Sequence, residues 1–166
     1  FGAGYELTPI KNLSQPGQFA SKETVTLVGP KGVIERVRVL GPVRSQTQVE
    51  ILAGDSFKLG VPAMVRMSGK LEGTPGITLA GPKGAVTIPS GVMVAARHIH
   101  MSLAQAASMG LRDGQIVSIA FGGERGGRLD NVAIRANDSS ELDCHIDTEE
   151  ANALRISNGS VVRIIK

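Results

Sequence analysis

Apolar and polar positions alternate most clearly in two segments, "VTLVGPKGVIERVRV" from Val25 and "ITLAGPKGAVTI" from Ile77. Both are split by Gly-Pro-Lys-Gly, with Pro at the second turn position and Gly at the fourth, as a type I turn prefers. Each segment predicts a β-hairpin. A lysine in a glycine-rich turn has the chemistry to touch phosphate, but Lys31 and Lys83 read first as solvated turn residues. A third alternation, "AARHIHMS" from Ala95, predicts a strand in which His98 and His100 leave one face while Ile99 and Met101 leave the other. From the residues alone this pair is either a metal-ligand arrangement or two half-exposed histidines on a barrel rim, satisfied by water and backbone carbonyls.

A longer repeat brings in the remaining histidine. "HMSLAQAASMGLRDGQIVSI" from His100 aligns with "HIDTEEANALRISNGSVVRI" from His145 at a constant offset of 45. His100 then matches His145, Ser102 matches Asp147, Ala106 matches Ala151, Met109 matches Leu154, Gly114 matches Gly159 and Val117 matches Val162. Each copy predicts strand, short helix, turn, strand. The helices carry capping boxes, Ser102 with Gln105 and Asp147 with Glu150, in which side chains satisfy the amides left open at a helix start. Leu103, Ala106, Ala107 and Gly110 form the expected packing face of the first helix. Because both copies place a histidine two residues before the cap, convergence of His98, His100 and His145 is expected, the pseudo-symmetric elements packing face to face. Three imidazoles with open positions suit zinc or another borderline divalent ion in a catalytic site.

Composition narrows the fold class to mainly β. With 21 Gly, 8 Pro, one Tyr and no Trp in 166 residues, the core must come from Val, Ile, Leu and Ala between many turns. The length allows one domain or two small ones, and 42% hydrophobic residues suffice for a packed core. A net charge of +3 favours anionic partners without choosing among them. Aromatic content of 3% leaves few platforms for stacking bases, so no nucleic-acid partner is expected. No window approaches a membrane span and no signal-peptide pattern is present, so neither a membrane partner nor secretion is expected, and the reading is cytoplasmic.

Two further places carry candidate chemistry. In "GPVRSQTQVEIL", Gly41 to Leu52, the residues Gln46, Gln48 and Glu50 share one face of a strand-like alternation, and Arg44 could fork onto a phosphate. The single Cys144 excludes an internal disulfide. As a strand neighbour of His145 it points to the opposite face, which argues against a reactive Cys-His pair.

The motifs "RHIHMS", "LVGPKGVIERVRVLGPVRSQTQVE", "GITLAGPKG" and "ELDCHIDTEEANA" resemble the phosphate propanoyltransferase family of phosphotransacylases, over essentially the whole chain. The resemblance implies two tandem β-barrels with short helical caps and a two-zinc site at their junction. It divides the chain into a connecting β segment at 1–22, a first barrel at 23–95 and a second at 96–166. It also implies reversible exchange of an acyl group, propanoyl first among them, between coenzyme A and phosphate. His98, His100 and His145 fall on the ligands of one metal, Glu50 on a ligand of the other, and Arg44 on the phosphate contact. Family members often work in bacterial microcompartments, in propanediol degradation, so shell or core enzymes are expected partners, as is a second copy of the chain in a homodimer. The departure is at the start: the family has a His-x-His segment upstream of "FGAGYELTP", and because the sequence opens there without Met, the expectation is that those N-terminal strands and the two ligands they supply are missing through truncation, cleavage or disorder. The rival enzyme reading is a metal-dependent thioester hydrolase using the same histidines to activate water. A non-enzymatic barrel module is the rival of a different class.

Overall fold

The computed structural model describes residues 1–166, and it is mainly β. The chain divides into two compact units, Phe1–Ala95 and Ala96–Lys166. The first strings together β1 (Pro9–Asn12), β2 (Phe19–Val28), β3 (Val33–Gly41), β4 (Val49–Glu50), α1 (Asp55–Leu59), β5 (Val65–Arg66), β6 (Ile77–Gly81), β7 (Gly84–Ile88) and β8 (Val92–Ala95). The second contains β9 (His98–Met101), α2 (Leu103–Ser108), β10 (Ile116–Phe121), β11 (Gly127–Ala136), β12 (Asp143–His145), α3 (Thr148–Leu154) and β13 (Arg163–Ile165). No helix is long and apolar enough to cross a membrane.

Both Gly-Pro-Lys-Gly segments turn antiparallel hairpins, β2 with β3 and β6 with β7. These strands join β1 in one sheet, and β4, β8 and β5 form a second. Leu27, Val49, Ile51, Leu59, Val61, Ile77, Val92 and Val94 make the core between them. The first turn serves packing: the Lys31 amide donates to the Leu59 carbonyl at 3.1 Å, and a Cβ on Gly29 would meet that same oxygen at 2.2 Å. Only glycine admits helix α1 this close.

The second unit is one sheet in the order β12-β9-β11-β10-β13. Ile99, Met101, Val117, Ile119, Val132, Ile134 and Ala136 line its core face with Ala106 and Leu111. The internal repeat is realised: β9-α2-β10 and β12-α3-β13 follow the same course, and both helices start with the complete reciprocal capping box. The glycines matched by the repeat, Gly114 and Gly159, have φ of 74° and 88°, a left-handed turn conformation that costs a side-chain-bearing residue roughly 1–2 kcal/mol.

Two expectations are corrected. The repeated strands do not face each other; they pair edge to edge, β12 antiparallel to β9. Of the anticipated packing face of α2, only Ala106 is buried, while Leu103 is 48% exposed. A helix of six residues has less than two turns to present, so one small side chain is all it seats.

Candidate metal centre

Strand β9 lies between β11 and β12, and its alternation separates core from site. Ile99 and Met101 are 2% and 0% exposed within the apolar cluster, so His98 and His100 emerge together on the opposite face. That face is covered as well: both histidines are buried, which removes the reading of half-exposed rim residues. Register then adds the third ring. His145 on β12 stands opposite His98, and Asp143 opposite His100. Directly opposed cross-strand neighbours in a sheet are about 5 Å apart, and the His98 and His145 ring centroids obey this at 4.9 Å; the same-strand pair His98 to His100 is 4.8 Å and the diagonal pair His100 to His145 is 5.0 Å. The three rings form a nearly equilateral triangle, each edge-on to the others.

Hydrogen bonds set which nitrogens are protonated. The His98 Nδ1 lies 2.8 Å from the Ala96 carbonyl, which only accepts, so Nδ1 donates and Nε2 carries the lone pair. The His145 Nε2 lies 2.9 Å from an Asp143 carboxylate oxygen, which only accepts, so Nε2 donates. His100 Nδ1 is buried with no hydrogen-bond partner. Burial, reinforced by the neighbouring His98, His145 and Arg135 charges, holds the His100 imidazole down at about 4, so it is neutral at physiological pH. A buried, neutral, unpartnered ring nitrogen costs free energy unless something accepts its lone pair.

These residues fit a divalent ion of the zinc type. One donor atom from each histidine lies within 4.8 Å of the others. Bonds of ~2.1 Å in a tetrahedron place such nitrogens about 3.4 Å apart, so the donor atoms would draw together by up to about 1.4 Å to share one ion. Three nitrogen donors leave at least one position open for a reacting group, as catalytic sites do.

The surroundings include residues the sequence reading passed over. Arg135 on β11 is in register with His100 and therefore lies on the histidine face. Its signal was weak, because nothing local reveals that β11 inserts parallel beside β9. Arg97 ion-pairs with Glu150 and donates to the Asp130 carbonyl at 2.6 Å. Glu150 is also the capping-box residue of α3, so this pair ties the strand of His98 to the helix that follows His145. Asp143 was visible only as part of the "DCHID" motif.

Cys144 stands opposite Ile99 in the register and packs against the core, away from the histidines. Burial, with the Asp143 and Glu150 charges adding to it, pushes its thiol up to about 11. That is the environment of an inert thiol.

In the first unit, Arg44 and Glu50 belong to one polar network. Arg44 Nη1 donates to Ser68 Oγ at 3.2 Å, and Gln48 Nε2 donates to Ser68 Oγ at 3.0 Å and to Glu50 Oε1 at 2.6 Å. Gly69 N–H donates to Gln48 Oε1 at 2.8 Å. The expected alternation is shorter than anticipated. Only Val49 and Glu50 are in the strand, and Gln46 instead lines an open groove with Arg66, Gly69 and Lys70. Ser68 was not singled out from sequence, since a lone serine in "RMSGK" carries no pattern.

Comparison with known proteins agrees with this picture. The family model of phosphate propanoyltransferase matches residues 1–157. A phosphate propanoyltransferase of Rhodopseudomonas palustris is 54% identical over 166 residues, covering 100% of this chain and 74% of the relative. One from Thermotoga maritima is 53% identical over 167 residues, covering 100% of this chain and 80% of the relative. One from Salmonella typhimurium is 51% identical over 156 residues, covering 93% and 74%. Identity of this order over nearly every element leaves one conclusion: the chain belongs to the phosphate propanoyltransferase family and is an acyltransferase.

Proposed function

We propose that the chain moves a propanoyl group reversibly between coenzyme A and phosphate, with a zinc ion held by His98, His100 and His145. The observation that carries the metal assignment is the triangle of imidazoles, two of them buried and His145 half-buried, with an orphaned ring nitrogen on His100. The substrates rest on the family and on the names of its relatives. When bound, the ion supplies Lewis acidity toward a thioester carbonyl and lowers the pKa of a thiol.

The residues of the chain do the rest. Arg44 binds phosphate through its planar fork, with Ser68 fixing the guanidinium. A phosphate oxygen adds to the thioester carbon, the carbon–sulfur bond breaks, and coenzyme A leaves with the electron pair as a thiolate. No residue is acylated, in keeping with the inert Cys144. Glu50, oriented by Gln48, is the chain's own ligand to a second zinc. We read the two units as counterparts of the two barrels that the resemblance implies, and place the enzyme in a bacterial microcompartment on the same ground.

The test is product analysis with propanoyl-CoA and phosphate. Trapping propanoyl phosphate as its hydroxamate, in step with coenzyme A release, is the expected result. Free propanoate with no acyl phosphate would instead establish the hydrolase.

A further inference from the structure

We propose that Asn158 is a site of spontaneous covalent modification, where the folded chain deamidates to a mixture of aspartate and isoaspartate. The inference is independent of the metal reading and of the substrates.

The internal repeat supplies the comparison. Turns 112–115 and 157–160 are the same turn in the two copies: the Gln115 amide donates to the Arg112 carbonyl at 3.1 Å, and the Ser160 amide to the Ser157 carbonyl at 3.0 Å. Side chains close both alike, the Arg112 amide donating to Gln115 Oε1 and the Ser157 amide to Ser160 Oγ, each at 3.2 Å. The two residues at the tip differ in what holds them. In the first copy Asp113 Oδ1 accepts from the Ala136 amide at 2.8 Å, and the Gly114 amide donates to the Ile134 carbonyl at 2.9 Å. Both are tied to β11. In the second copy, on the way into β13, Asn158 and Gly159 are exposed, and neither the Asn158 side chain nor the Gly159 amide has a hydrogen-bond partner in the fold. The space around Gly159 is open, with no atom within 4 Å of where a Cβ would stand.

These two free groups are the ones that react. The Gly159 amide nitrogen, giving its proton to hydroxide, attacks Asn158 Cγ; the new N–Cγ bond closes a cyclic imide, the Cγ–Nδ2 bond breaks and ammonia leaves. Water then opens the ring at either carbonyl. Breaking the ring bond to Cγ gives aspartate on the original backbone, while breaking the bond to the Asn158 main-chain carbonyl carbon gives isoaspartate, whose main chain runs through Cβ and Cγ. Water is the only co-reactant. Glycine matters because it has no Cβ to shield its nitrogen. The other asparagines, Asn12, Asn131, Asn137 and Asn152, precede Leu, Val, Asp and Ala. Each conversion takes the net charge from +3 to +2, and the isoaspartate form also adds a methylene to the main chain of the turn.

The test is to hold the purified chain at mildly alkaline pH, digest it with trypsin and follow the Ile156–Arg163 peptide by mass spectrometry, reading isoaspartate by enzymatic methylation. Two products of aspartate mass are expected there, while peptides carrying the other asparagines stay unchanged. Because an exposed turn opens at almost no cost, the rate in the folded protein should lie within about threefold of that in the free synthetic peptide. Asp113 should form isoaspartate only when urea unfolds the chain and frees it from Ala136. Asn158→Gln, whose longer side chain closes the ring poorly, should abolish the products at unchanged circular dichroism. The proposal is overturned if Asn158 in the folded protein reacts more than about tenfold slower than the peptide, or no faster than the other asparagines. Isoaspartate at Asp113 of the folded chain, formed as fast as at Asn158, overturns it too.

Discussion

Truncating Ile99 to alanine probes the one structural fact on which the site depends, the alternation that sends Ile99 into the core and His98 and His100 away from it. Ile99 is 2% exposed and sits among Met101, Val132 and Ile134, which are 0%, 0% and 1% exposed. Removing three buried carbons forfeits about 2.4 kcal/mol at ~0.8 kcal/mol each. A sheet held on both sides of β9 relaxes little, so a cavity remains and raises the cost to about 3–4 kcal/mol. A unit of this size holds about 4–10 kcal/mol in total, so the substitution consumes a large fraction of it. Urea denaturation followed through β9 and β11 amide signals should show the midpoint falling by about 2 M at a slope near 1.5 kcal/mol per M. Ile99→Val should cost only about 0.5–1.5 kcal/mol. A loss below about 1 kcal/mol for Ile99→Ala, at unchanged slope, would mean that Ile99 is not in the core. A one-residue slip of register would then be the true pairing, and the histidine face would be wrong with it.

Other outcomes follow from individual residues. Cys144→Ala should keep turnover within about threefold, since only a small, inert side chain is lost; a drop beyond about 100-fold would reinstate an acyl-enzyme on Cys144. Arg44→Lys should raise the apparent KM for phosphate about tenfold, because an ammonium cannot reproduce a planar fork; an unchanged phosphate dependence removes Arg44 from the site. Glu23 is buried and accepts from the Tyr5 hydroxyl at 2.8 Å and the Thr8 amide at 3.0 Å. Burial opposes its charge, but these hydrogen bonds outweigh burial and bring the carboxyl down to about 2. A depressed carboxyl stabilises the fold fully above its ordinary value of 4.5 and loses that contribution as pH falls toward 2. The stability gap between wild type and Glu23→Gln should therefore shrink across that window, and a gap independent of pH contradicts the assignment.

What was legible in the sequence was what local chemistry decides. The Gly-Pro-Lys-Gly turns, the Ser102 and Asp147 capping boxes and the His98/His100 alternation each involve residues within a few positions of one another, and the structure realises all of them. The repeat foresaw that His145 would join the other two, but by the wrong route, since similarity of two segments does not say whether they stack or pair. Long-range pairing was the hidden part. That β11 enters parallel beside β9, carrying Arg135 to the histidine face, depends on a contact between residues more than thirty positions apart. The same holds for Ser68, which reaches Arg44 and Gln48 only through the folded first unit. Leu103 failed because periodicity was read over a helix too short to have a face.

The central claim, that three histidines hold a metal the reaction needs, is tested most directly by His100→Ala. His100 is the corner whose ring nitrogen has no partner in the fold, so its loss removes a ligand without breaking a hydrogen bond of that atom. Zinc bound per chain should be measured on purified wild type and variant by elemental analysis, beside propanoyl phosphate formation and a check of folding by circular dichroism. The account predicts a folded variant carrying one zinc fewer than wild type, with propanoyl phosphate formation reduced at least 1,000-fold, on the order of 4 kcal/mol of transition-state stabilisation. A folded His100→Ala protein with the wild-type zinc content and near-normal turnover would contradict it.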